Sequence, residues 1–234
     1  MNTYARPVDE RIAVAARELT LQSLNSDVAV VAGVACRRLR GIDEPWASHA
    51  RCTTLPSRAS LDQALSWLRE RAEQWTVVVP GELAGDEVFA SLEPWLTLPV
   101  MIRRESLPAA MVPGLTIRPA ANPAEFLSVY GEMLAPLVTP DHRADPGQRY
   151  LVAEEDGRVV GCAIARRLGD TSYVNGVTVL PDARGHGIGT AISAAAADAF
   201  GPDLVWLEAL AKAQPVYRRL GFEVIGEHVL LAAT

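Results

Sequence analysis

Lysine is almost missing from this chain: Lys212 is the only one, and arginine supplies the rest of its 22 basic residues. No lysine and hydroxyl pair therefore follows a glycine-rich turn, which excludes the nucleoside-triphosphate loop that needs both. Cysteine is scarce too. Cys36, Cys52 and Cys162 make neither a disulfide framework nor a paired metal-ligand spacing, so they read as small packed residues in a reducing compartment, with no metal called for. Long apolar runs are absent: none reaches the ~18 residues of a membrane span, and MNTYARPVDER carries charges where a signal peptide has its apolar centre. The expectation is a cytoplasmic protein with no membrane partner. Excess positive charge is absent as well. A formal net charge of −6 lacks the phosphate-neutralising footprint of a nucleic-acid binder, so no nucleic-acid partner is expected. What the chain has in quantity is apolar surface: 49% of 234 residues are hydrophobic, enough to fill one large domain or two small ones.

The strongest punctuation is ESLPAAMVPG at 105–114, which divides the chain into residues 1–110 and 111–234. Upstream, the pattern predicts a helix from about Val8 to Leu24, strands near VAVVAGVA and ARCTTL, and a helix through LDQALSWLRERA. The strand WTVVVP, a helix near EVFASLEPWL and the strand VMIRR follow. Downstream, LTIRP is a strand, Asn122 an N-cap, and PAEFLSVYGEML a helix with Phe126, Val129, Tyr130 and Met133 on one face. After the polar loop LVTPDHRADPGQR come two strands joined by Asp156-Gly157, a strong hairpin signal, and a third strand, TSYVNGVTVL. A helix then carries Ile188, Ala191, Ile192, Ala195 and Ala199 and stops at Gly201-Pro202. DLVWLEAL is the next strand, Pro215 opens a short helix, Gly221 stands where a left-handed C-cap belongs, and FEVIGEHVLLA is the last strand. The first half roughly repeats this order without a glycine-rich loop.

RGHGIG, from Arg184 to Gly189, joins the third strand to its helix. Unpaired N–H groups at a helix start, glycines that let a ligand reach the backbone, and an arginine at the rim together suit a diphosphate. A dinucleotide-binding turn would share part of this pattern. Its third glycine, however, belongs where Thr190 stands, it directly follows its strand, and its strands are joined by crossover helices rather than hairpins.

VTVLPDARGHGIGTAI resembles the acetyl-CoA-binding motif of the GNAT acetyltransferase superfamily, and AQPVYRRLGF resembles the superfamily's later tyrosine and Gly-Phe motif. The element order from residue 115 extends the likeness over the second half. The resemblance implies an α/β fold of the α+β kind: a mixed, mostly antiparallel GNAT-type sheet flanked by helices in 111–234, with a degenerate GNAT-like copy in 1–110. It implies acetyl-CoA as co-substrate, with Val177, Thr178 and Val179 bonding the pantetheine arm. Arg184, Gly185, Gly187, Ile188, Gly189 and Thr190 would hold the pyrophosphate, and His186 fills the variable slot of the loop, facing solvent. Tyr217 would protonate the departing thiolate, a balanced transfer for a phenol with a reference pKa near ~10. Glu208 is the candidate base. Tyr173 and Asn175 would position the acceptor or a water, and Asp141 and His142 would line its pocket. Leu210 departs from the polar residue that many members carry there. The implied acceptor is an amine of a small molecule or a peptide, with a homodimer conceivable. A non-catalytic acyl-CoA sensor and a dinucleotide-dependent oxidoreductase are the alternatives.

Overall fold

The computed structural model describes residues 8–107, 111–201 and 204–233. The chain forms two compact units, residues 1–98 with 226–234, and residues 99–225. In the first, α1 (Val8–Leu21) precedes a hairpin of β1 (Ser26–Val31) and β2 (Val34–Leu39), followed by β3 (Ser48–Arg51), α2 (Arg58–Arg69) and β4 (Thr76–Pro80). β5 (Leu92–Arg103) leads out of that unit. The second holds β6 (Leu115–Pro119), α3 (Pro123–Tyr130), α4 (Pro140–Ala144), β7 (Gln148–Glu155), β8 (Arg158–Leu168) and β9 (Thr171–Val179). Then come α5 (Ile188–Asp198), β10 (Val205–Glu208), α6 (Gln214–Arg218) and β11 (Glu223–Ala233).

Strand pairing, not the proline-rich linker, decides which strand belongs to which unit. β5 pairs its residues 100–103 antiparallel with β10, while β11 pairs 228–231 antiparallel with β4. The compact units therefore part near residues 98 and 225, whereas the linker lies at 105–114. Residues 108–110 of that linker, and Pro202 of the expected helix stop, lie outside the described residues.

Local chemistry explains the agreements and the departures. Asn122 does cap α3, its side chain accepting from the Glu125 N–H at 2.9 Å, and Asp156 (φ +50) with Gly157 (φ +77) does form the tight hairpin. Helix α3 stops at Tyr130, because Gly131 takes φ +105, and Met133 beyond it is 65% exposed rather than packed. The polar loop contains α4, for which Pro140 supplies a preset first turn. VAVVAGVA is not one strand but a hairpin, turning at Ala32 (φ +46) and Gly33 (φ +90). The helix expected near EVFASLEPWL is a 3-10 turn at Glu87–Phe89, capped by Asp86, and β5 starts at Leu92 because Pro94 forbids a helix interior there.

In the second unit the sheet runs β5-β10-β9-β8-β7-β6. Ala153, Ala163, Ala165, Val174 and Leu207 pack beneath Ile188, Ile192 and Ala196 of α5. Phe126 of α3 packs over Tyr150, Val152, Cys162 and Ile164 on the other face. Alanines bring α5 close to the strands, and deleting the fully buried Phe126 ring would cost about 3–5 kcal/mol. All three cysteines are buried, and burial pushes each thiol up to about 12. No helix among the described residues is long and apolar enough to cross a membrane.

Candidate active site

β9 is paired on one edge and open on the other. It runs parallel to β10 for only two residue pairs, Ser172 with Val205 and Tyr173 with Trp206. Against β8 its register slips between Cys162 opposite Thr178 and Ile164 opposite Asn175, so Gly176 and Val177 together face Ala163. Gly176 adopts φ +62, the left-handed glycine of a β-bulge, and the bulge turns β9 away from β10. The Leu180 N–H bonds the Val160 carbonyl on β8 at 2.9 Å, so strand alternation turns the backbone groups of Val177 and Val179 to the open edge. There the Arg184 Nε donates to the Val179 carbonyl at 2.9 Å.

The glycine turn continues from this edge. A 3-10 turn at Pro181–Ala183 delivers Arg184, then Gly185 at φ +87 and Gly187 at φ +84, both conformations that favour glycine. A Cβ at Gly185 would meet nothing within 4 Å, so what requires glycine there is the backbone angle. At Gly187 a Cβ would lie 3.3 Å from Val112; at Gly189, inside the helix, it would make only an ordinary 3.7 Å contact with Val179. Gly187 is the N-cap of α5 and offers no side chain to the first-turn N–H groups of Ile188, Gly189 and Thr190. Those donors and the positive end of the helix dipole therefore face outward from an exposed loop in which His186 is also exposed.

On the α3 side of the sheet, the Tyr173 hydroxyl donates to Glu208 Oε2 at 3.0 Å, and the Tyr173 ring lies 4.4 Å from that of the fully buried Trp206. Asn175, two residues along the same strand face, has its Oδ1 buried without a hydrogen bond among the described residues. Glu208 is half-buried at the end of β10. Tyr217 is buried on α6 with its ring 5.8 Å from Phe222. Burial pushes its pKa up, opposed by the nearby Ser193 hydroxyl, which falls short of a full hydrogen bond. Asp141 is exposed on α4, while His142 is buried with its Nδ1 2.6 Å from the Thr139 hydroxyl. Leu210 is 44% exposed just past β10.

Two residues here escaped the sequence reading. Tyr130 of α3 lies against the bulge, where a Cβ on Gly176 would come 2.9 Å from its ring. Arg166, paired with Tyr173 across β8 and β9, shares that strand face, and burial lowers its pKa. A glycine inside a strand is the sequence sign of such a close approach, and Gly176 carried it.

Residues 146–224 match the family model described as the acetyltransferase (GNAT) domain. That segment is similar to the GNAT acetyltransferase domain. The chain as a whole shares its fold with a GCN5-related N-acetyltransferase from Kribbella flavida, at a TM-score of 0.76 and 20% identity over 98% of this chain and 96% of that one. A GCN5-related N-acetyltransferase from Sphaerobacter thermophilus aligns with a TM-score of 0.62 and 18% identity over 97% of this chain and 93% of that one. A tandem GNAT protein from the clavulanic acid biosynthesis pathway aligns at 0.60 and 14%, over 86% and 78%. None of the curated proteins matches the sequence. The matched segment contains both the open strand edge and the glycine turn.

Proposed function

We propose that the protein is an N-acetyltransferase that moves an acetyl group from acetyl-CoA to a primary amine of a small molecule or a peptide. The observation that carries this reading is the continuity of an unpaired β9 edge with an uncapped, glycine-lined helix start. Pantetheine is an amide chain, and Val177 and Val179 offer it backbone groups as an added strand would. The pyrophosphate fits the turn at Gly185 and Gly187 and the N–H groups of Ile188, Gly189 and Thr190, with Arg184 at the rim. Thr178, whose backbone pairs with Cys162 on β8, holds that edge in register.

The chemistry follows from the groups at the open edge. The ammonium gives a proton to Glu208, directly or through water, and the freed nitrogen attacks the thioester carbonyl carbon. Backbone N–H at the bulge stabilises the developing oxyanion. The carbon–sulfur bond then breaks, Tyr217, kept protonated by burial, gives a proton to sulfur, and the surplus proton on the new amide nitrogen passes, directly or through water, back to the Tyr217 oxygen. Neither a metal nor an acyl-enzyme enters this scheme. The first unit, with its similar element order, acts as a degenerate copy that supports the catalytic one.

The test is a calorimetric titration with acetyl-CoA and, in parallel, NADH. Micromolar binding of acetyl-CoA that Gly187→Glu loses supports the reading, and thiol release on adding amines completes it. No heat from acetyl-CoA sinks it. Binding without turnover of any amine would assign the protein to acyl-CoA sensing instead.

A further inference from the structure

We infer that Asn175 and Tyr130 form, with Glu208, the seat of the acceptor's ammonium and restrict the acceptor to unhindered primary amines, an inference that rests on the acyl-transfer reading above. The starting point is the Asn175 Oδ1, shut off from water and bonded to no donor among the described residues. An amide oxygen in that state is costly unless a ligand supplies the donor. Its neighbour Gly176 is the bulge residue, and a Cβ there would lie 3.1 Å from the Tyr130 hydroxyl. Asn175 stands opposite Ile164, on the side of the sheet where α3 packs, and a Cβ on Gly176 would point to that same side, toward Tyr130 and Ile164. Two residues earlier on the same face, Tyr173 holds Glu208 by its hydroxyl.

Glu208, Asn175 and Tyr130 are thus linked through one strand face, and each presents an oxygen. A primary ammonium has three N–H donors for three such acceptors. An N-methylated amine has two and brings a carbon into the space that Tyr130 fills, and an alcohol has one. Once Glu208 takes one proton, the other two N–H groups stay bonded to Asn175 and Tyr130, which fixes the nitrogen lone pair toward the thioester.

Thiol release from acetyl-CoA should be followed with benzylamine, spermidine, glycinamide and a tripeptide, each beside its N-methylated counterpart. The expected result is that N-methylation lowers kcat/KM at least about tenfold. Asn175→Ala and Tyr130→Phe should each raise the amine KM about tenfold, the worth of one hydrogen bond to a charged group, and leave the calorimetric Kd for acetyl-CoA within about twofold. Asn175→Asp, which keeps an acceptor oxygen, should restore the KM. Equal turnover of methylated amines overturns the inference, as does a change in acetyl-CoA affinity with the amine KM unmoved. If acetyl-CoA binds and no amine is acetylated, the acyl-transfer reading fails first and takes this inference with it.

Discussion

The chain builds a strand, a helix and a parallel strand twice, as β3-α2-β4 and as β9-α5-β10, and finishes the two junctions in opposite ways. In the first unit β3 pairs with β4 through Arg51 and Val78, and the Cys52 N–H extends the ladder to the Val78 carbonyl at 2.9 Å. Its pairing with β2 runs from Ala35 to Arg38 without a slip. Helix α2 is capped by Ser57, whose hydroxyl accepts from the Ser60 N–H at 3.1 Å. In the second unit β10 leaves β9 after Tyr173, a bulge breaks the register with β8, and a glycine stands where the first unit has its serine cap. A closed ladder and an occupied cap give stability. The open edge and bare helix start forgo that stability and leave donors for a ligand to satisfy.

The contrast can be broken most sharply by removing the chemistry from the open junction. Tyr217→Phe should lower kcat by about 10²–10⁴-fold while acetyl-CoA still binds, measured by thiol release beside calorimetry. Because burial holds Tyr217 above the ordinary phenol value of 10, its protonated form persists past that pH, and any loss of rate from its ionisation belongs above it. Gly187→Glu puts a carboxylate and a strained φ of +84 where a diphosphate should lie, and should weaken acetyl-CoA binding by about 10²-fold or more. At the closed junction, Ser57→Ala should cost about 1 kcal/mol in chemical denaturation and leave acetyl-CoA binding unchanged. An effect on binding there would erase the distinction between the two halves.

The smallest effect concerns what anchors α3, the helix that carries Tyr130. Arg118 bonds both Glu125 and Glu154, and the first of these contacts holds the Glu125 carboxyl below its usual 4.5. A depressed carboxyl contributes stability above its unfolded pKa and loses it as pH falls through the folded one. Glu125→Gln should therefore lower the midpoint temperature slightly at neutral pH, and the difference should shrink as the pH falls below 4.5 and vanish once it passes below the lowered folded value.

Much of this was legible in residues. Asp156-Gly157, Asn122, Pro215 and Gly221 act through local geometry, and each does in the structure what its type dictates. The glycine turn is local as well. The helix wrongly expected near EVFASLEPWL overlooked Pro94, a signal the residues do carry, whereas the pairing of residues 100–103 with β10 shows the limit, because no local pattern selects that partner. The same holds for Tyr130, which by spacing is one more apolar face of a helix and in space meets Gly176.

The sequence by itself determined where the chain turns, caps and exposes a glycine backbone, because those depend on φ angles and on neighbours a few residues away. Tertiary structure decided that β9 parts from β10 after two residue pairs, that β5 and β11 pair where they do, and that Asn175, Tyr173 and Glu208 share one face. Those depend on pairing between segments far apart in the chain, where many partners have similar intrinsic propensity and only the packed sheet selects one.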